Sequence, residues 1–368
     1  MIIKAHDLLP LLRLHGRTVF DEARQALFFN WTCAGFTVRF RGRLLRARLT
    51  ALSDAAPVFP GMPPQPPIFP YFGVAPDGAE TPVDCRILDQ ADAWITLFEG
   101  AGGEHELRAV KLSENSRGKL GLLELETDGE ILPAAAEHRP MIEIVGDSIT
   151  SGLGNRTSDG TIHIRPDEED GWMSYAALAA RELGCEWSIV SESGIEVSRP
   201  EKPFFDKHGM DEIYAYTDEL YQRQYAAQLE KWDFAAHPND VVVLNLGTND
   251  GHTIRLYPAL GLTIDDIPAM EAHFQRQYGH FLRMVRALNG PNALIVCTLG
   301  PMDYYLWDRT RDAVEEYQRE TGDSRVILFK FVGINAMAEG VGGGGHPSVK
   351  THIRMGHELA NLIKPWMK

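Results

Sequence analysis

Four short stretches of this chain carry residue types that could act together on one ester. Gly146-Asp147-Ser148-Ile149-Thr150 places a serine directly after an apolar run. Ser191-Glu192-Ser193-Gly194 places a glycine after a second run, and Gly247-Thr248-Asn249-Asp250 places an amide side chain after a third. His346 follows four consecutive glycines and precedes Pro347. A serine hydroxyl is a weak nucleophile until a base accepts its proton. Histidine suits that task near neutral pH. Acyl transfer also needs N–H donors where negative charge develops on the carbonyl oxygen. Ser148 as nucleophile, His346 as base, and the N–H groups of Ser148, Gly194 and Asn249 as oxyanion donors meet that list.

Each of these residues alone has a plainer reading. Ser148 could be a helix cap, Gly194 a turn glycine, and Asn249-Asp250 a turn-forming pair. With 13 histidines in the chain, one beside a proline proves nothing. The joint pattern gains weight from the elements that must position it. MIEIV (141–145), WSIV (187–190), VVVLNL (241–246), ALIVCTL (293–299) and RVILFKF (325–331) are short apolar runs separated by amphipathic stretches. Such runs predict a five-stranded parallel sheet covered on both faces, an α/β domain of flavodoxin-like type. Its ligand site lies at the carboxyl ends of the strands, where all four stretches fall. Helices are expected at 172–183 and at 347–364, the second with Pro347 in its first turn.

Residues 1–137 follow a different period and read as an all-β domain, a sandwich. Phe36, Val38 and Phe40 alternate with polar neighbours, as do Leu45, Ala47 and Leu49. Arg41-Gly42-Arg43 between them suggests a hairpin turn, giving one apolar and one basic face. Further strands are expected at 94–98, 106–112 and 121–126. The segment 57–70 holds seven prolines and reads as a long ordered loop. Residues 138–368 then form the second domain.

The blocks GDSIT, SESG, GTND and HPS, in that order, resemble the SGNH or GDSL-type serine hydrolases. The N-terminal β domain, the WMSYAALAARELG helix, SESGIEVSR, KWDF and the GPM loop at 300–302 extend the resemblance to carbohydrate esterase family two. That resemblance implies a jelly-roll domain joined to an SGNH domain, and removal of acetyl groups from sugars. The SGNH pattern places an aspartate three residues before the histidine. Here that position is Gly343, and the nearest upstream acid is Glu339. The third member of a triad fixes the imidazole tautomer and stabilises the imidazolium. We therefore expect a Ser148–His346 dyad oriented by the carbonyl of Gly343 or Gly344. A distant acid reaching His346 is the competing idea.

Tyr304, Tyr305 and Trp307 follow the fourth strand and are candidates to stack on a sugar ring. Asp147 and Asp250 read as tethers between loops. His352 reads as a helix-surface or capping contact. Asp167-Glu168-Glu169-Asp170 with His163 matches no standard metal spacing and reads as a solvated acidic loop, so neither metal nor cofactor is assigned. The basic strand face reads as solvated, with acidic sugars as the sharper alternative.

Composition narrows the partners. The net charge of −15 argues against nucleic acid and anionic membrane. Four scattered cysteines without a C-x-x-C pair, and an N-terminus without a leader pattern, predict a cytoplasmic protein. The expected activity is a serine esterase on O-acetylated sugars or oligosaccharides. A lipase-like or thioesterase hydrolase is the second reading, and a sugar-binding protein with a degenerate domain the third. A homo-oligomer is left open.

Overall fold

The structure, a computed structural model, describes every residue except 56–65, 136, 137, 162, 201–206, 227 and 368. Most of the proline-rich segment, and the expected domain boundary at 137, therefore lie outside the described residues. The last antiparallel strand ends at Leu132 and the first parallel strand starts at Met141.

The first half is a 10-stranded antiparallel sheet, curled and jelly-roll-like. At its centre run Gly35–Leu52, Ala93–Lys111 and Lys119–Thr127, with the first strand between the other two. Val38, Phe40, Leu45, Ala47 and Leu49 turn inward as their alternation predicts. The expected hairpin at Arg41-Gly42-Arg43 is corrected: one strand passes straight through. Gly42 pairs with Gly103, and the register shifts between Gly42 and Leu44. Such a bulge bends both strands without ending them, so the sheet curls where a turn was expected. The runs at 94–98 and 106–112 are likewise parts of one long strand. The arginines of the outer face do not stand free. Arg39 and Arg41 pair with Glu104, Arg46 with Glu126 and Arg48 with Asp92.

The second half holds the five parallel strands Met141–Gly146, Glu186–Ser191, Val241–Asn245, Leu294–Leu299 and Val326–Lys330. Their spatial order is second, first, third, fourth, fifth. Side chains alternate across the sheet. Ile142, Ile144, Val243 and Val296 pack toward the helices Tyr175–Glu182 and Val349–Ile363. Val145, Val242, Leu244 and Cys297 pack toward Ile267–Asn289 and Trp307–Thr321. Both faces are covered, which explains why the runs are continuously apolar. Two helix limits move from their expected places. Ser174 caps the helix at Tyr175, and Ser348 caps the last helix, so Pro347 precedes it. Among the described residues, no helix is long and apolar enough to cross a membrane.

The two halves share one interior. Arg17, from the antiparallel half, is fully buried against Glu143 on the first parallel strand at 3.0 Å. Its guanidinium also donates to the carbonyls of Tyr214 and Tyr216 at 2.6 and 2.7 Å. The Tyr214 and Phe234 rings lie 4.9 and 5.1 Å from it. Removing one partner of a buried pair strands the other charge. Arg17→Met should therefore lower unfolding free energy by about 3–5 kcal/mol in urea titration, with both halves unfolding together. A loss below about 1 kcal/mol would show that this contact does not join the halves.

Candidate active site

Ser148 stands two residues past Gly146, where the first parallel strand ends. The strand can close this tightly because a Cβ at Gly146 would sit 2.0 Å from the Thr150 hydroxyl. Asp147 caps the short helix that follows, accepting the Ile149 N–H at 2.9 Å. Burial pushes the Asp147 carboxyl up to about 7. Ser148 opens the helix and is 7% exposed.

His346 reaches Ser148 from the far end of the chain. Its Nε2 lies 2.9 Å from the Ser148 hydroxyl oxygen, and its Nδ1 lies 2.9 Å from the Gly343 carbonyl. The glycine run makes this turn. Gly344 and Gly345 have φ of 61° and 81°, the left-handed region that favours glycine. The Gly343 N–H donates to the Gly154 carbonyl at 2.9 Å, and a Cβ at Gly342 would meet that carbonyl oxygen at 2.6 Å. Of the two carbonyls expected, Gly343 faces the ring. Among the described residues, no carboxylate bonds Nδ1. Glu339, the nearest upstream acid, bonds Arg354 and Thr351 instead, and Arg354 holds its carboxyl down at about 2.

Gly194 and Asn249 border the same cleft as Ser148 and His346, a space of about 460 Å³. The order of the strands explains why. The first, second and third parallel strands are neighbours, so the loops leaving them converge at the switch point. Asn249 Nδ2 donates to the Ile195 carbonyl at 2.9 Å and faces Asp147 at 3.4 Å. Asp250 accepts the Val197 N–H at 3.2 Å, tying the second loop to the third. Burial and the adjacent Glu196 carboxylate push Asp250 well above the usual range. A hydroxyl bonded to an imidazole, with backbone and amide N–H groups nearby, can carry out acyl transfer through serine.

Residues 144–352 match the model of the GDSL-like lipase/acylhydrolase family. The chain belongs to that family. This GDSL-like hydrolase is 32% identical over 308 residues to the cellulase/esterase CelE of Acetivibrio thermocellus, across 80% of this chain and 34% of that protein. It thus spans about a third of the length of that relative. It is 25% identical over 286 residues to an acetylxylan esterase / glucomannan deacetylase of Cellvibrio japonicus, across 76% of this chain and 72% of the other. A family two carbohydrate esterase from Clostridium thermocellum, solved with cellohexaose, superposes with a TM-score of 0.78 at 26% identity, covering 97% of this chain and 100% of the other. An acetyl xylan esterase from Butyrivibrio proteoclasticus shares the fold, with a TM-score of 0.84 at 22% identity over 100% and 99% of the two chains.

Several expectations for this hydrolase are corrected. Tyr304, Tyr305 and Trp307 do not border the cleft. Tyr304 donates to the Phe331 carbonyl at 2.7 Å, Tyr305 to Glu271 at 2.6 Å, and Trp307 packs on the core under Lys330. The aromatic in the cleft wall is Phe69, beside Pro66, Pro67 and Ile68 at the end of the proline-rich segment. The acidic loop is not solvated throughout: Glu169 is buried, and Asp170 pairs with Arg156 at 2.5 Å. His163 borders the cleft, and among the described residues no acidic or histidine cluster could hold a metal. His352 is buried rather than at the helix surface, but it makes the capping contact expected of it: its Nδ1 accepts the N–H of Tyr175, the first residue of the helix Tyr175–Glu182, at 3.1 Å. Sequence reasoning missed Glu114, Ser116 and Arg117, which reach the cleft from the antiparallel half, and Lys207.

Burial lowers the pKa of His346 from its ordinary 6.5, against the opposing bond to Gly343. A lowered pKa keeps the imidazole neutral, and able to accept a proton, to lower pH. The His346 ring should therefore titrate below 6.5 when followed by NMR of labelled histidine. A midpoint above that value would mean that a negative charge, not burial, dominates its surroundings.

Proposed function

We propose that this chain is a serine esterase that removes acetyl groups from carbohydrate. The observation that carries the reading is the relay from Gly343 through His346 to Ser148, open to a cleft beside Gly194 and Asn249. The acetylxylan-esterase relatives support the substrate class. Ser148 attacks the acetyl carbonyl as His346 Nε2 takes its proton. The N–H groups of Ser148, Gly194 and Asn249 hold the oxyanion. The sugar oxygen leaves with the proton from His346. Water, deprotonated by the same nitrogen, then releases acetate and restores Ser148.

The carbonyl of Gly343 orients the ring by accepting Nδ1–H, which leaves Nε2 to act as base. Phe69 and the neighbouring prolines supply an apolar wall against which a sugar face can lie. The same wall is what favours a lipase-like or thioesterase reading, because it would also take a longer acyl chain. The net charge of −15 speaks against nucleic acid as a partner. Four free cysteines support a reducing, cytoplasmic setting.

Ser148→Ala should reduce kcat/KM for an acetylated xylo-oligosaccharide by roughly 10⁴-fold or more, with the fold intact by circular dichroism. Hydrolysis retained in that variant would overturn the assignment. Acetate release should exceed butyrate release from matched p-nitrophenyl esters. Rates rising with chain length would instead place an acyl chain on the Phe69 wall.

A further inference from the structure

The loop Ser113–Gly118 leaves the antiparallel half and enters the cleft. It is clamped at both ends. Lys111, fully buried, donates to the carbonyls of Ser113 and Glu114. Lys119 donates to the Asn115 carbonyl and side chain, both at 2.7 Å. Between these clamps, Glu114 is 1% exposed and turns its carboxylate toward the second catalytic loop. One oxygen accepts the Ser193 N–H at 2.6 Å and the Ser151 hydroxyl at 3.3 Å. The other accepts the Ser116 hydroxyl at 3.0 Å. Ser193 immediately precedes Gly194, and Glu114 borders the same cleft as Ser148 and His346.

A buried carboxylate needs a reason to stay charged. Among the described residues, the Glu114 carboxylate meets the Ser193 N–H, the Ser151 and Ser116 hydroxyls and the Arg117 guanidinium at 3.6 Å, and Lys207 adds positive charge. Its neighbour Glu169 accepts the Glu114 N–H and is pushed up to about 8 by burial and by Glu114 itself. Of the two acids, Glu114 is thus the one that stays ionised. Two carboxyls pushed apart in this way take different roles.

We propose that Glu114 is the positioning residue of this site, holding Ser193–Gly194 so that the Gly194 N–H faces the oxyanion and giving His346 the negative charge that a backbone carbonyl lacks. The proposal rests on the Ser148–His346 esterase reading. In a triad, one aspartate both orients the ring and stabilises the imidazolium. Here those tasks are divided. Gly343 touches the ring, and Glu114 acts on it through space from the other half of the molecule.

The charged and titratable groups that act on His346 are Glu114 and Arg117 from the antiparallel half, and His352 on the last helix senses it in turn. Around Glu114 stand Arg117 and Lys111 from the antiparallel half. From the parallel half, Glu169, Lys207, Glu192 and Asp147 interact with it electrostatically. Glu114 raises the pKa of His346 and Arg117 lowers it. Loss of the Glu114 charge must then move the acid limb of activity to lower pH.

Glu114→Gln keeps the shape and one acceptor oxygen but removes the charge. It is best made in a Glu169→Gln background, so that Glu169 cannot ionise in its place. Two readouts are needed: kcat/KM against pH with an acetyl ester, and the NMR titration of His346. We expect the plateau of kcat/KM to fall roughly tenfold, as charge-assisted bonds become neutral ones, and both the acid limb and the His346 midpoint to move down. Arg117→Gln should move both upward. A merely structural Glu114 would lower the plateau and leave both midpoints in place, and that result would overturn the proposal. The NMR midpoint reads the charge even in a variant with little turnover. If the unmodified protein fails to cleave any acetyl ester, the esterase reading fails, whatever the His346 midpoint reports.

Discussion

The site depends on a single hydrogen bond, from His346 Nδ1 to the carbonyl of Gly343 at 2.9 Å. A neutral imidazole has one N–H, and whichever nitrogen keeps it decides what the other can do. With Nδ1–H committed to a carbonyl, Nε2 presents a lone pair to Ser148. The glycine run follows from that requirement. A side chain at 343 would meet Thr157 at 2.7 Å, and Gly344 and Gly345 adopt left-handed φ. The loop is also fixed from outside. Gly154, six residues beyond Ser148, accepts the Gly343 N–H and so ties the His346 loop to the segment that carries Ser148.

A carbonyl dipole orients as well as a carboxylate but carries no net charge, so it stabilises an imidazolium less. That difference gives the antiparallel half its meaning. It supplies the Phe69 wall and the Glu114 carboxylate, and it is bound to the parallel sheet through the buried Arg17–Glu143 contact. In this protein the two halves form one site. Burial lowers the His346 pKa, and the nearby Glu114 raises it. Burial on one side, and the Gly343 bond together with Glu114 on the other, set where the ring titrates.

Much of this was legible in the sequence because it is local or periodic. Continuous apolar runs marked the parallel strands to within a residue or two; Asp147-Ser148, Gly194 and Asn249 lay just past strand ends, and His346 just before the last helix. The absent aspartate at 343 pointed directly to a backbone acceptor. Long-range contacts were not legible. Glu114 meets Ser193 across 79 residues, and Arg17 meets Glu143 across 126. No period or motif marks either pair. The Gly42 bulge imitated a turn because a glycine between arginines reads the same in both. Tyr304, Tyr305 and Trp307 followed the right strand but found nearer partners in Phe331, Glu271 and the core. An aromatic residue in a loop names no partner of its own.

The most direct test is the tautomer of His346 in the resting protein. Nitrogen-15 chemical shifts of labelled histidine, recorded above the ring's titration, distinguish the two ring nitrogens. Nδ1 should be protonated and bonded to the Gly343 carbonyl, and Nε2 unprotonated and facing Ser148. A proton resting on Nε2, or an Nδ1 that loses its bond without effect on Ser148 reactivity, would contradict that arrangement.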